Sequence, residues 1–197
     1  MTDDMRIETE RLQLRSWRES DVDVYDQACN TPAVMRWLGD VQSREEIERD
    51  VDYFIEEEAH RGHTFWVVER KADAALLGFC GLVRIPDQDC PLIGELEIGW
   101  RIRQNEWRNG YAFEAAKATR DYAFERCLSE KIVSRTSAGN VASRGLMLKL
   151  GMKHEPMEDY VPDGEVAALR TYVITQTVWR AEQPRAGVFP RTDDGGT

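Results

Sequence analysis

The spacing of apolar and polar residues changes period several times along the chain, and each change marks an element. Residues 11–17, RLQLRSW, alternate apolar with polar side chains, the two-residue period of a half-buried strand. Residues 20–39 have helical spacing. Ser20 stands where a cap is wanted, Asp21 and Asp23 suit the first turn, and Pro32 divides the run in two. Residues 43–62 predict a second helix: Ser43 and Glu46 form a capping box, Ile47, Val51, Phe54 and Ile55 share one face, and Gly62 supplies the stop. The period then falls to two. Strands at 64–70 and 75–85, joined by a KADA turn, make a hairpin; after a loop at 86–91, LIGELEIGWRI (92–102) is the next strand. A helix at 111–127, a strand at 131–137 and a helix at 142–151 closed by Gly151 follow. Segments 153–161 and 170–179, around a PDGE turn at 162–165, complete the pattern as an antiparallel pair.

This order predicts an α/β (α+β mixed) sheet with one core, in which 92–137 is a right-handed strand–helix–strand crossover with parallel strands. We expect a single domain over 1–179. From Arg180, two prolines and a DDGGT terminus predict a flexible tail over 180–197.

Composition narrows the function. The chain has 197 residues, 42% hydrophobic and 31% charged, a globular balance. Lys plus Arg number 26 and Asp plus Glu 36, a net charge of −10, which argues against nucleic acid or an anionic membrane as partner and favours a cationic substrate. Four scattered cysteines form no CxxC pair, and His60, His63 and His154 lack metal spacing and fit surface or turn positions, so no metal is expected. Cys80 and Cys127 fit core positions. The start MTDDMRIETERL has no signal-peptide core and no stretch is long enough to span a membrane, so we expect a cytoplasmic protein.

Candidate chemistry centres on EWRNGYAFEAA (106–116). A helix that starts directly after a strand leaves backbone N–H groups unpaired at the positive end of its dipole, an anion site. Gly110 permits close approach of a ligand, Asn109 tolerates turn geometry, Arg108 adds charge, and Ala112, Ala115 and Ala116 let the helix sit close to the sheet. By itself such a stretch is more often an ordinary strand-to-helix turn with a glycine. Neither GxxxxGK[ST] nor GxGxxG occurs, which excludes a Walker loop and leaves no dinucleotide fingerprint.

WRNGYA (107–112) resembles the acyl-CoA pyrophosphate loop of the GCN5-related N-acetyltransferases (GNAT): Gln or Arg, two free positions, Gly, one free position, then Gly or Ala. Gly110 and Ala112 match; Trp107 replaces the first residue. The chain is most similar to the RimJ/RimL-type branch, which acetylates ribosomal-protein N-termini, through ETERLQLRSW, TPAVMRWLG, EIGWRI and NVASRGLMLKLGMKHE, in order over residues 7 to 178. Arg108 departs from that branch, which often has Gly there. The resemblance implies the GNAT fold, a central, mixed, mostly antiparallel sheet flanked by helices and splayed between strands 92–102 and 131–137, with acetyl-CoA in the V. It implies that backbone groups of Trp100, Arg101 and Ile102 bind the pantetheine arm. N–H groups of the loop (Trp107, Arg108, Asn109, Gly110, Tyr111, Ala112) would cradle the pyrophosphate, and the Asn140 side chain would bind the pantetheine.

The implied activity is acetyl transfer from acetyl-CoA to a primary amine, a protein N-terminus or a small amine, by direct attack in a ternary complex of a monomer or homodimer. The alternative is a non-catalytic acyl-CoA-binding regulatory protein. Attack on a thioester needs a neutral amine, a polarised carbonyl and a proton for the thiolate. Glu95 and Glu97 share a strand face and are the base candidates, with Glu97 favoured by the resemblance. A backbone N–H at Trp100 or Arg101 suits the carbonyl oxygen. Ser143, three residues after Asn140, resembles the serine that RimL-type enzymes place near the sulfur and is the acid candidate. Tyr172 is a second.

Overall fold

The computed structural model describes residues 5–86, 90–162 and 167–183. Its elements are β1 (Met5–Glu8), β2 (Leu12–Arg15), α1 (Asp21–Cys29), α2 (Pro32–Met35), α3 (Arg44–Arg61), β3 (Phe65–Arg70), β4 (Ala75–Arg84), β5 (Leu96–Ile102), α4 (Tyr111–Glu125), β6 (Lys131–Ser137), α5 (Val141–Lys149), β7 (Lys153–His154), β8 (Leu169–Thr175) and α6 (Gln176–Glu182). The strands form one sheet in the order β1-β2-β3-β4-β5-β6-β8-β7. Every pairing is antiparallel except β5 with β6, the expected crossover.

Both faces of the sheet are covered. Leu96, Ile98 and Ile102, alternate residues of β5, pack with Ala115, Ala116 and Phe124 of α4, Met147 of α5 and Trp179 of α6. On the other face Val67, Leu76 and Phe79 meet Val22 and Tyr25 of α1 and Ile47, Val51 and Phe54 of α3. Farther along that face Val133 and Val173 lie under Ile85, Cys90 and Leu92.

The feature that positions the site is a short register. β5 and β6 pair only at Leu96↔Ile132 and Glu97↔Val133. Beyond Glu97, β5 stays with β4 as far as Gly78↔Ile102, and β6 stays with β8 as far as Ser137↔Leu169. The two halves of the sheet therefore part at Glu97 and open between the two strands where the resemblance places the V.

Capping chemistry is legible at α3: Ser43 and Glu46 close the capping box and Gly62 ends the helix at φ 73°. Elsewhere the structure departs from the pattern. The chain opens with a hairpin, not one strand, its turn tied by Thr9 N–H to the Leu12 carbonyl (2.9 Å). Ser20 is already helical (φ −64°) and caps nothing. The Asp21 carboxylate instead accepts from Arg18 N–H (2.8 Å), upstream of the helix, while it pairs with buried Arg15 (2.8 Å). β5 begins at Leu96 because Ile93 and Glu95 N–H bond back to Cys90 and Leu92, turning 90–95 over the sheet. His63 is buried, not superficial, with its Nδ1 3.1 Å from the Leu82 carbonyl, and burial pushes its pKa down. In the last antiparallel pair β7 is two residues long, and Tyr160↔Leu169 is an isolated bridge. Residues 163–165 of the PDGE turn lie outside the described residues, as do 184–197 of the tail.

The strand expected over 170–179 stops at Thr175, whose hydroxyl accepts from Val178 N–H (3.4 Å) and starts α6. A run this short is ambiguous between periods. Burial decides it: Trp179 stacks on Phe124 with centroids 5.2 Å apart and donates Nε1–H to Asp121 (2.8 Å). Residues 180–182 thus belong to the packed helix. Trp179→Ala should lower stability by about 3–5 kcal/mol, the range for large aromatic truncation in a core. A urea midpoint shift worth under about 1 kcal/mol would mean that α6 is not part of the packed core.

Candidate active site

β5 carries the site's floor. Past Glu97 its residues Ile98–Ile102 have β4 on one side and, among the described residues, no strand on the other, so one backbone edge faces the V. Trp100 is half-buried and lies on the α4 side. The Arg101 side chain leaves by the opposite face. It donates to the Tyr25 hydroxyl and to Gln42 Oε1 (3.3 Å), and lies 5.1 Å from the Phe79 ring centroid. Only backbone groups of these residues therefore face the V edge. Glycine matters at Gly99, where a Cβ would come 2.8 Å from the Phe65 ring, and at Gly139, where it would come 2.6 Å from Trp37. Trp37 thus lies against the β6–α5 turn.

After β5 the chain makes a 3-10 turn at Gln104–Glu106 and enters the loop of interest. Trp107 Nε1–H donates to the Ile102 carbonyl (2.6 Å), which turns its indole back to β5. Arg70 and Arg103 both donate to Glu106 Oε1 (2.9 Å each), and Asn109 Nδ2 donates to Glu106 Oε2 (3.4 Å). The hydrogen bond from Arg103, joined by that from Arg70, holds the Glu106 carboxyl below its ordinary range. Arg108 (φ 66°) and Gly110 (φ 84°) are both left-handed. Gly110 is the N-cap of α4 and offers no side-chain acceptor, and the first backbone bond into the helix is Glu114 N–H to the Gly110 carbonyl (3.0 Å). Among the described residues the N–H groups of Tyr111, Ala112 and Phe113 have no acceptor. The sequence points to Asn109 for left-handed geometry, but Arg108 and Gly110 adopt it instead, while Ala115 and Ala116 are fully buried against the sheet, as a close-packed helix needs.

Across the V, Asn140 caps α5. Its Oδ1 accepts from Ser143 N–H (3.2 Å) and its Nδ2 donates to Thr136 Oγ1 (3.0 Å), which leaves one amide hydrogen for a ligand. Ser143 is half-buried in the first turn of α5, and its hydroxyl has no protein partner among the described residues. Tyr172 is buried with its hydroxyl accepting from Arg144 Nε (3.0 Å). Glu97 stands where the strands part. Both its oxygens accept from Arg135, at 2.9 and 2.6 Å, and the two side chains are each 15% exposed. Burial opposes the Arg135 charge, but the Glu97 bonds outweigh it and raise the guanidinium pKa. Arg135 also donates to the Tyr160 hydroxyl. Glu95 lies just before β5, 37% exposed, and pairs with Lys131 at 3.0 Å.

The sequence singles out Glu97 as a base candidate, and the register places it where the strands part; Arg135 and Arg11 are not singled out by the sequence. Arg135 was legible in principle: once Glu97 pairs with Val133 in parallel, the next outward residue of the same β6 face is Arg135. Trp37 and Arg11 arrive from distant segments, and no local period announces them.

The chain matches the Acetyltransferase (GNAT) domain family over residues 11–153. It is 30% identical over 159 residues to the uncharacterized N-acetyltransferase p20 of Bacillus licheniformis, covering 77% of this chain and 85% of that protein. The crystal structure of a GNAT-family acetyltransferase from Bacillus anthracis superposes with TM-score 0.73 at 23% identity, over 87% of this chain and 98% of the other. The ribosomal L7/L12 α-N-protein acetyltransferase RimL, solved with coenzyme A, shares the fold at TM-score 0.69 and 17% identity, over 85% of this chain and 95% of that one. This protein belongs to the GNAT acetyltransferase family and is an N-acetyltransferase by class.

The turn geometry has a direct consequence. Gly110→Ala forces a Cβ onto a left-handed residue and should cost about 1–2 kcal/mol in the free protein. An unchanged urea midpoint would show that the left-handed turn is not maintained.

Proposed function

We propose that this enzyme transfers the acetyl group of acetyl-CoA to a primary amine, a protein N-terminus or a small cationic amine, by direct attack within the V. The observation that carries the reading is the conjunction of an unpaired β5 edge with an uncapped α4 start, reached through a loop with two left-handed residues. The edge offers amide-like hydrogen bonding to a pantetheine arm, as an added strand would. The α4 N–H groups, with the exposed Arg108, suit a pyrophosphate. A backbone N–H at Trp100 or Arg101 would polarise the thioester carbonyl. Ser143, whose hydroxyl is uncommitted, would protonate the departing thiolate.

Glu97 is the proposed acceptor of the amine proton, directly or through a water. Its bidentate bond to Arg135 favours a second reading, in which the carboxylate is held to shape the port and orient the ammonium while bulk solvent removes the proton. Glu97→Gln separates the two. A base predicts a loss on the order of a hundredfold at neutral pH that shrinks as pH rises and free amine accumulates. An orienting carboxylate predicts a loss that does not change with pH.

The assay is release of free thiol from acetyl-CoA across a panel of amines that includes peptides with free N-termini, polyamines and amino acids. Amine-dependent release supports the reading. Tight CoA binding without release would favour a regulatory binding protein. Ser143→Ala should lower kcat with little change in KM for acetyl-CoA, because the thiolate needs its proton only as the bond breaks; a change confined to KM would make Ser143 a binding residue. Saturating CoA should also stabilise the native protein, by about 2.7 kcal/mol at a hundredfold excess over Kd. No thermal shift with CoA would contradict the proposal.

A further inference from the structure

The loop assigned above to the pyrophosphate is gripped from outside by the N-terminal hairpin. Arg11, in the β1–β2 turn, commits every nitrogen to that grip. Its backbone N–H donates to Glu114 Oε1 (2.9 Å) and its Nε to Glu114 Oε2 (2.7 Å). Its Nη2 lies 2.6 Å from the same Oε2, and its Nη1 donates to the carbonyl of Asn109 (3.1 Å). Thr9 Oγ1–H donates to Glu114 Oε1 (2.6 Å) from the same turn. The guanidinium lies 4.5 Å from the centroid of the Tyr111 ring, which Arg70 approaches at 5.9 Å. Burial opposes the Glu114 charge, but the Thr9 and Arg11 bonds hold its carboxyl below the ordinary range.

This contact is costly to explain as surface decoration. Asn109 sits between two left-handed residues, one of them a non-glycine, and such backbone persists only where its surroundings over-determine it. Arg11 supplies that determination at the middle of the turn, and Glu114 links it to the first turns of α4. Its charge is already matched by Glu114, so it is poorly placed to serve as a counter-charge for a ligand.

We infer that Arg11 is a positioning residue: acting through the Asn109 carbonyl and Glu114, it holds residues 108–112 in the conformation that receives the cofactor's phosphates. The inference rests on the assignment of that loop to acetyl-CoA. When only a fraction of the protein has the competent loop, apparent Kd rises by the inverse of that fraction.

The test is calorimetric CoA binding to the full-length protein and to Arg11→Ala, Arg11→Lys and Glu114→Gln, with a urea midpoint for each free protein. Positioning predicts a Kd for CoA raised about tenfold in Arg11→Ala, as for a loop competent about a tenth of the time. Glu114→Gln should weaken binding in the same direction, and Arg11→Lys, which keeps the charge but not the planar fork, should not restore it. A guanidinium that met the phosphates directly would be released by Glu114→Gln, so tighter binding in that variant overturns the inference, as does full rescue by Lys. Loss of stability with unchanged Kd in the folded protein marks a structural role and overturns it too. A parent protein that binds no CoA refutes the assignment of the loop and this inference together. A parent that binds, with Arg11→Ala unaltered, refutes this inference alone.

Discussion

The site depends on how briefly β5 and β6 stay together. Two register pairs join them, and past Glu97 each strand satisfies its hydrogen bonds on its outer side with β4 or β8. An interior sheet edge left open within a covered fold has unpaired peptide groups, which need a partner or water. A ligand with amide groups along an extended arm meets that demand, and acetyl-CoA has such an arm. The same parting sets α4 and α5 with their N-termini at the mouth of the V, so the donors for an anion come with the topology.

Around this opening the protein has built fixed supports. The Arg101 side chain is drawn under α1 by Tyr25 and Gln42, away from the V. Glu106 gathers Arg70, Arg103 and Asn109. Trp37 rests on Gly139 and links the turn after α2 to the β6–α5 turn. The contacts of Arg101, Arg70 and Trp37 join segments far apart in the chain, and together with the local ones they hold backbone groups in place. Catalysis by preorganised dipoles asks for this kind of rigidity. The net charge of −10 is consistent with a cationic acceptor approaching the other face, where Glu97 and Glu95 lie, although each already has a basic partner.

Much of the fold was legible in the sequence because local rules governed it. The α3 cap and stop, the KADA hairpin, the 131–137 strand and the strand–turn–helix at 106–116 each follow from residues a few positions apart. Legibility failed where tertiary contact overrode local pattern. Ser20 caps nothing, and the Asp21 carboxylate is drawn back to Arg18 N–H and Arg15. Residues 176–182 became a helix because Trp179 finds Phe124. β5 lost its first residues because Cys90 and Leu92 bury themselves over Val133. At the site, the backbone elements were predictable and the supporting side chains were not. Glu97 was a candidate from sequence, but its place at the fork, like the roles of Arg135 and Arg11, became visible only once register and hairpin were known.

Amide hydrogen exchange of the free protein against the protein saturated with CoA tests the central claim most directly, because it reports on backbone groups one segment at a time. The account predicts added protection at two segments: 98–102, on the open edge of β5, and 110–113, at the start of α4. The β1–β4 half of the sheet should be unchanged. Protection confined to other segments, or none at either of these two, would contradict it.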